Sequence, residues 1–490
     1  MNNENTGEKK RNNTAPVEPP LPSPCLPMSN TVPYPLRNAL PIPEETLERY
    51  TKKCAKSSEI DPSLYQTYDA KRGLRNADGS GVLVGLTTVG AVVGYSIVDR
   101  ELVPVPGRLF YRGIELHDLV KGFQTEKRFG FEETIFLLLM GYLPNKKELQ
   151  EFFDVLDHQR PLPPHFKEEA ILGMPSPDVM NKLARCVLAS YAFDENPDEV
   201  SIANILRQSI GLIARFPTYA VYGYQAKSHY YGGKSLHMRI PDPGLSTAEH
   251  ILCLLRPHGA YTRLEAELLD ICLVIHAEHG GGNNSTFTTH VVSSSYTDTY
   301  SAIAAACLSL KGPRHGGANL QVMKMIEDIK AHVKDWSNEA ELTDYLAKIL
   351  DKKAFDNSGL IYGLGHAVYK VSDPRTEILR EKAAQLASQT PEYQEEFNLL
   401  NNIARIGSQL HMERHHTEFP LPPNVDFYSG FVYKMLNIPT ELFTPLFAVG
   451  RIPGWCAHRL EEFNGNSRII RPAYKCIKKP IAYVPMDKRK

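Results

Sequence analysis

From Glu132 to Phe463 the chain repeats its apolar residues at helical spacing, stretch after stretch, and that repetition commits most of its 490 residues to α-helix. The pattern predicts helices over Glu132–Leu143, Lys146–Leu156, Asp178–Phe193, Val200–Ala226, Thr247–Leu255 and Thr262–Ala277. It resumes over Thr297–Leu310, Gly316–Val333, Asn338–Lys352, Pro374–Ser388, Glu392–Glu413 and Thr440–Phe463, with Arg or Lys near several ends and Pro or Gly beyond them. Only residues 82–113 read differently. There VLVGLTTVGAVVGYSIVDRELVPV and RLFYRG are rich in β-branched residues and predict a few short strands. The expected fold is therefore mostly α, with a small N-terminal β element and no solenoid repeat.

Ahead of these elements, residues 1–45 are polar and then proline-dense. Ten prolines fall between Pro16 and Pro43, which rules out helix and central strand and predicts an extended or disordered tail. A short charged helix is expected from Glu44 to Ser57. The first twenty residues carry three glutamates and no apolar core, unlike a secretory signal or a mitochondrial presequence, and no apolar run reaches membrane length. Lys+Arg number 55 against 56 Asp+Glu, so no basic field invites a nucleic acid, and an anionic ligand must be met by local arginines. Eight scattered cysteines without a C-x-x-C pair are expected to be reduced and structural, which suits the cytoplasm.

Four stretches set a titratable residue beside glycine or proline: HAEHGGGNNS from His276, GPRHGGAN from Gly312, YGLGHAVYKVSDPR from Tyr362 and PPNVDFYSG from Pro422. In the second, a Gly-Pro corner delivers His315 to a helix expected to begin near Gly316. The unpaired N–H groups and partial positive charge of a helix start favour a neutral imidazole, which can donate a hydrogen bond to a carbonyl and polarise it. Taken alone, His315 reads first as a packed histidine at a helix junction. Arg451 lies in the apolar run LFAVGRIPGW, where burial without an anion is costly, so it is expected to face a ligand or an ion pair. Arg471, in RIIRP, reads by itself as a surface residue. His276 and His279, three residues apart, look like half a metal site. They lack the H-E-x-x-H spacing, and no carboxylates or cysteines cluster with them, so no metal is expected. HGGG also resembles an esterase oxyanion loop, but the chain has no G-x-S-x-G elbow to go with it. His411 and His415, one turn apart, read as a partly exposed helix face.

Taken in order, the four stretches closely resemble the signature segments of the citrate synthase family. The likeness starts upstream at GRLFYRGIELHDL, similar to the family's early R-Y-R-G segment, and runs to Arg471, covering residues 82–475. It implies a mostly helical homodimer that binds oxaloacetate and acetyl-CoA in a cleft between two domains. By that resemblance residues 46–316 form the large domain and 317–436 the small one, while 437–490 return to the large domain and reach the partner.

The resemblance also implies roles. His315 is similar to the histidine that holds the thioester carbonyl, Asp426 to the carboxylate that removes the methyl proton, and His366 to the histidine that polarises the ketone of oxaloacetate. His279 resembles an oxaloacetate ligand, and Arg375, Arg451 and Arg471 resemble the arginines on its carboxylates, Arg471 reaching across the dimer. Lys370 stands where some members place an arginine for CoA phosphates, and Arg314 joins it as a CoA-binding candidate. Glu278 departs from the more usual Asp of HxDH. These roles fit the chemistry. Joining a thioester methyl to a ketone needs a base on the methyl, a donor on the enolate oxygen and a donor on the ketone, and planar guanidinium groups suit a dicarboxylate. No cofactor is implied, since acetyl-CoA is a substrate. The expected enzyme is an acyltransferase making citrate. One methylene in an apolar pocket changes binding by only about 1–3 kcal/mol, so 2-methylcitrate synthase, using propionyl-CoA, stays open. A non-catalytic CoA-binding helical homologue would be marked by loss of one of the three chemical residues, and all three are present.

Overall fold

The computed structural model describes residues 42–76, 80–98, 101–465 and 468–489, so the proline-dense tail up to residue 41 lies outside the described residues. The chain divides into two compact units, 1–68 and 69–490. Within the first, α1 (Glu44–Ser57) occupies the expected range, with two glutamates in its first turn and Lys56 in its last, matching the helix dipole. It buries no residue, and α2 (Ser63–Thr67) follows it.

The second unit opens with an antiparallel sheet of β1 (Gly90–Val98), β2 (Glu101–Tyr111) and β3 (Ile114–Glu115), in the order β1-β2-β3. The expected β element is thus present, although residues 82–89 lie outside the strands. Gly90 pairs with Tyr111 and Val98 with Glu101, with a register shift between Val93 and Tyr95.

Helices make up the rest: α3 (Leu116–Thr125), α4 (Phe131–Met140), α5 (Lys146–Gln159), α6 (Val179–Ser190), α7 (Ile202–Tyr230), α8 (Thr247–Leu255) and α9 (Arg263–His276). They continue as α10 (Asn284–Ser293), α11 (Thr299–Lys311), α12 (Ala318–His332) and α13 (Glu339–Leu350), then α14 (Pro374–Ala387), α15 (Pro391–His415), α16 (Val425–Met435) and α17 (Phe443–Asn464). Capping boxes explain three of the starts, with Asn145 and Glu148 at α5, Ser246 and Glu249 at α8, and Thr262 and Glu265 at α9. The mostly α expectation holds.

α17 organises the core. It is buried without a break from Phe443 to Arg459, and it packs against α4, α7, α9, α10 and α11. A helix buried all round belongs at the centre of a large domain, and every polar group on it needs a partner. Among the described residues no helix is long and apolar enough to cross a membrane, and the seven described cysteines are free.

Candidate active site

The middle of α17 is where the sequence motifs meet. α9 ends at His276, and the turn that follows reverses at Gly280, whose φ is +79°. This turn lies hard against α17. A Cβ at Gly450 would stand 2.9 Å from the His276 Cβ, and one at Gly454 would stand 2.6 Å from Glu278 Oε2, so only glycine permits the approach. Two further motifs are tied directly to each other. Gly365 N–H donates to Pro422 O at 2.7 Å, Asn424 N–H to Gly363 O at 2.8 Å, and Asn424 Nδ2 to Gly365 O at 2.9 Å. The loop bearing His366 is thereby fixed to the start of α16, where Asn424 caps the helix by accepting the Asp426 N–H at 3.0 Å.

Hydrogen bonds assign the proton positions on two histidines. His366 Nδ1 accepts from the Val368 and Tyr369 N–H groups, each at 3.1 Å, which leaves the ring proton on Nε2. His315 Nε2 faces the Ser285 N–H at 3.4 Å and the Ser285 hydroxyl at 3.1 Å. A backbone N–H only donates, so Nε2 takes the acceptor role and the proton sits on Nδ1. Trp455 Nε1 donates to the same hydroxyl at 3.1 Å and holds it in place. Both rings are neutral. Burial, aided by the Arg451 charge, pushes His315 down to about 4, and burial aided by Arg375 does the same for His366. The neutral imidazole expected at residue 315 is therefore present, but its main cause is burial: α12 begins at Ala318, after a turn that contains His315. His279 lies with its ring centroid 5.1 Å from that of His366, and burial followed by the Arg375 charge holds it well below the usual histidine range. Tyr369 stacks on His366 at 4.7 Å and meets His279 edge-on at 5.7 Å.

The charged groups divide into paired and unpaired. Arg375 is buried, and Asp373 holds it in a fork, Nε to Oδ1 at 3.0 Å and Nη2 to Oδ2 at 2.7 Å. Arg451 is fully buried. Its Nε donates to His276 O at 2.5 Å, and its Nη1 and Nη2 have no hydrogen-bond partner among the described residues. Burial lowers its pKa to about 10. Asp426 is raised to about 6 by burial, against the pull of Arg375 and Arg451, and its Oδ1 is likewise unpartnered. His279 Nε2, both ring nitrogens of His276 and the Tyr369 hydroxyl complete a concentration of buried polar atoms without partners among the described residues. Native structures leave few such atoms, so their clustering marks a place built to bind something polar.

The structure thus brings His279, His315, His366, Arg375, Asp426 and Arg451 into one electrostatically connected site. Arg471 is exposed on the irregular segment after α17. Lys370 is exposed and its Nζ reaches His366 O at 3.4 Å, while Arg314 is exposed in the turn before His315. His411 and His415 pair on α15, ring centroids 4.4 Å apart. Sequence reading missed Ser285 and Trp455, which orient His315, and Asp373, which orients Arg375. Asp373 had a readable signal, because D-P-R sets an N-cap beside a helix-starting proline. Among the described residues, no group of three or more His, Cys, Asp or Glu side chains is arranged to hold a metal ion.

A family model described as "Citrate synthase, C-terminal domain" matches residues 79–473. The citrate synthase of Synechocystis sp. is 32% identical over 385 residues, covering 78% of this chain and 88% of that protein. The 2-methylcitrate synthase of Shewanella oneidensis is 34% identical over 372 residues, covering 74% and 87% respectively. A solved citrate synthase from Thermoplasma acidophilum, in ternary complex with carboxymethyl coenzyme A and oxaloacetate, matches with a TM-score of 0.69 at 25% identity, covering 83% of this chain and 97% of its own. With the family model spanning most of its length, the chain belongs to the citrate synthase family of acyltransferases.

Proposed function

We propose that the protein condenses oxaloacetate with acetyl-CoA and hydrolyses the citryl thioester to citrate and CoA. The observation that carries this reading is the meeting, in one buried site, of a carboxylate raised to about 6, two neutral histidines with assigned outward protons, and a guanidinium whose Nη atoms lack partners. Asp426 takes the methyl proton. The Nδ1–H of His315 stabilises the enolate oxygen as charge develops, and the Nε2–H of His366 polarises the ketone that the enolate attacks. Arg451, Arg375 and His279 hold the carboxylates of oxaloacetate, with Asp373 fixing the fork of Arg375. Arg471 of a second copy completes the anion site in a homodimer, and Lys370 and Arg314 meet the phosphates of CoA. Residues 317–436 close as a small domain over the substrates, which shields the weakly acidic methyl from water. These steps need only protein groups, with no metal or cofactor.

The relative from Shewanella oneidensis favours a second reading, 2-methylcitrate synthesis from propionyl-CoA by the same steps. A CoA-release assay with oxaloacetate and either acetyl-CoA or propionyl-CoA separates the two. Citrate synthesis predicts the higher kcat/KM for acetyl-CoA, and a preference for propionyl-CoA would transfer the assignment. No release with either would sink both.

A further inference from the structure

The carboxylate of Glu278 is wholly buried and takes no part in the steps above. Its Oε1 accepts from the Gly280 N–H and stands 3.0 Å from His458 Nε2 on α17. His458 Nδ1 lies 3.1 Å from His290 Nε2 on α10, and His290 Nδ1 lies 2.6 Å from Glu462 Oε2. These four groups form a file: carboxylate, imidazole, imidazole, carboxylate. Its inner end sits next to His279 in the chain. At its outer end His290 and Glu462 line a cavity of about 420 Å³ with Gly281, Gly282, Glu461 and Arg468, a route for proton exchange with water.

Counting protons gives the file a definite state. Each end link places an imidazole N–H on a carboxylate oxygen, and the middle nitrogen-to-nitrogen link requires a third N–H. Two neutral imidazoles carry only two between them. All three links therefore hold at once only when the file carries one extra proton, and losing it opens a link.

We infer that Glu278, His458, His290 and Glu462 form a one-proton clamp that fixes the turn bearing His279 and thereby sets the affinity for oxaloacetate. This rests on the functional reading above. None of the four is a catalytic residue; they are positioning residues, acting through the Gly280 N–H and the backbone of the turn. Other charged and polar groups face the file from each neighbouring element. Glu461 Oε2 lies 3.7 Å from His458 Nδ1, and Arg112 on the β side acts on both Glu461 and Glu278. Thr87 Oγ1 lies 3.5 Å from His458 Nδ1, and the Tyr111 hydroxyl accepts the Glu278 N–H at 3.4 Å. Burial works to raise the Glu278 carboxyl, but His458 and then Arg451 hold it below its usual range. Loss of the shared proton to water opens the middle link and leaves His458 anchored within the file only through Glu278, which loosens the turn, so oxaloacetate binding weakens as pH rises.

The test uses two variants of the full-length protein. His290→Gln replaces the outer imidazole with an amide that bridges His458 and Glu462 without titrating. It is expected to keep the parent's KM for oxaloacetate at low pH and to abolish the parent's alkaline rise, about tenfold across one ionisation, with kcat unchanged. His458→Leu cuts the file at Glu278 and is expected to raise that KM about tenfold at every pH, with kcat within about twofold. A parent-like pH profile in His290→Gln, or a parent-like KM in folded His458→Leu, overturns the clamp. If His458→Leu does not fold, His290→Gln decides alone. Calorimetry of oxaloacetate binding in buffers of different ionisation enthalpy reads the proton directly: the parent takes up as much as one proton per site on the alkaline side, and His290→Gln takes up none. Equal uptake also overturns it. If the parent neither binds oxaloacetate nor releases CoA, the functional reading falls on its own. The file is then judged by urea unfolding across pH, where identical pH dependence in parent and His290→Gln would end it.

Discussion

Arg451 and Arg459 stand about two turns apart on the same buried helix, α17, and both are pushed down to about 10 by burial. Their surroundings are otherwise opposite. Arg459 donates from Nε to Thr299 Oγ1 at 3.1 Å, from Nη1 to Ser293 Oγ at 3.0 Å and from Nη2 to Thr297 O at 2.7 Å, with the Asp298 charge nearby. Among the described residues Arg451 has a hydrogen-bond partner only at Nε, its Nη1 and Nη2 being buried without one. A buried charge is tolerable when its donors are satisfied and expensive when they are not. Arg459 is therefore satisfied by the scaffold, whereas Arg451 keeps two buried donors without partners among the described residues, and the difference lies in the groups that other segments bring to the helix.

The deepest break in that contrast comes at Asp426 on α16, the buried carboxylate whose Oδ1, like the Nη atoms of Arg451, lacks a partner among the described residues. Asp426→Asn is expected to keep the fold and oxaloacetate binding while lowering kcat by about a hundredfold to ten-thousandfold, because an amide cannot accept the methyl proton. Steady-state kinetics paired with calorimetric binding checks this, and turnover within a few-fold of the parent would remove Asp426 from the role of base.

Substituting the two arginines in parallel tests the contrast itself. Arg451→Met is expected to weaken kcat/KM for oxaloacetate by about a hundredfold or more, with thermal stability near the parent value, since removing two unsatisfied buried donors offsets the lost attraction to Glu278. Arg459→Met is expected to do the reverse, costing about 2–4 kcal/mol of stability by stranding the groups it bonds, with KM near the parent value. Chemical denaturation and kinetics on both variants settle the matter. A large stability loss at Arg451, or a KM defect at Arg459 with the fold intact, would erase the distinction.

The same contrast explains what was legible in the sequence. Helical periodicity identified most of the scaffold, α8 to the residue, because long amphipathic stretches bury one face. It passed over α3, which follows directly on the strands, and it failed at α10 and α16. α10 is NSTFTTHVVS, poor in helix formers, and α16 carries a Ser-Gly pair among aromatics. Both are helices because Asn283 and Asn424 cap them and packing buries them, which single-residue propensity does not register. The candidate site residues were legible as motifs beside glycine and proline. Their partners were not. Ser285 is 30 positions from His315 and Trp455 is 170 from Ser285, and nothing in local pattern links them.

Acidity offers a smaller, continuous test. The proposed mechanism uses Asp426 as its carboxylate, and burial raises it to about 6, while burial pushes His315 and His366 down to about 4. As pH falls through 6 the base is lost and the histidines are not yet charged. kcat/KM is therefore expected to fall about tenfold per pH unit below that point, with one ionisation controlling the acid limb until about pH 4. A flat profile between pH 7 and 5 would mean that burial does not raise Asp426.

The smallest expected effect is a recovery, and it asks whether the unsaturated half of α17 is completed by its own chain. Arg471 is exposed on the irregular segment after α17, where nothing local gives it a role. If a second copy supplies it, each site combines His366 of one chain with Arg471 of the other. Arg471→Ala and His366→Ala homodimers are then both nearly inactive, the first through loss of a charge-assisted contact whose removal costs about 2–5 kcal/mol. In a mixed dimer the Arg471→Ala chain keeps its own His366 and receives an intact Arg471, so one site works while the other carries both defects. Random pairing makes about half the dimers mixed, each with one of two sites active, so co-refolding the two dead variants is expected to restore about a quarter of parental activity per chain. Differential tags verify that heterodimers form. Heterodimers without recovery would return Arg471 to its own subunit or remove it from the site, and the substrate carboxylate beside Arg451 would then take its second cation from elsewhere.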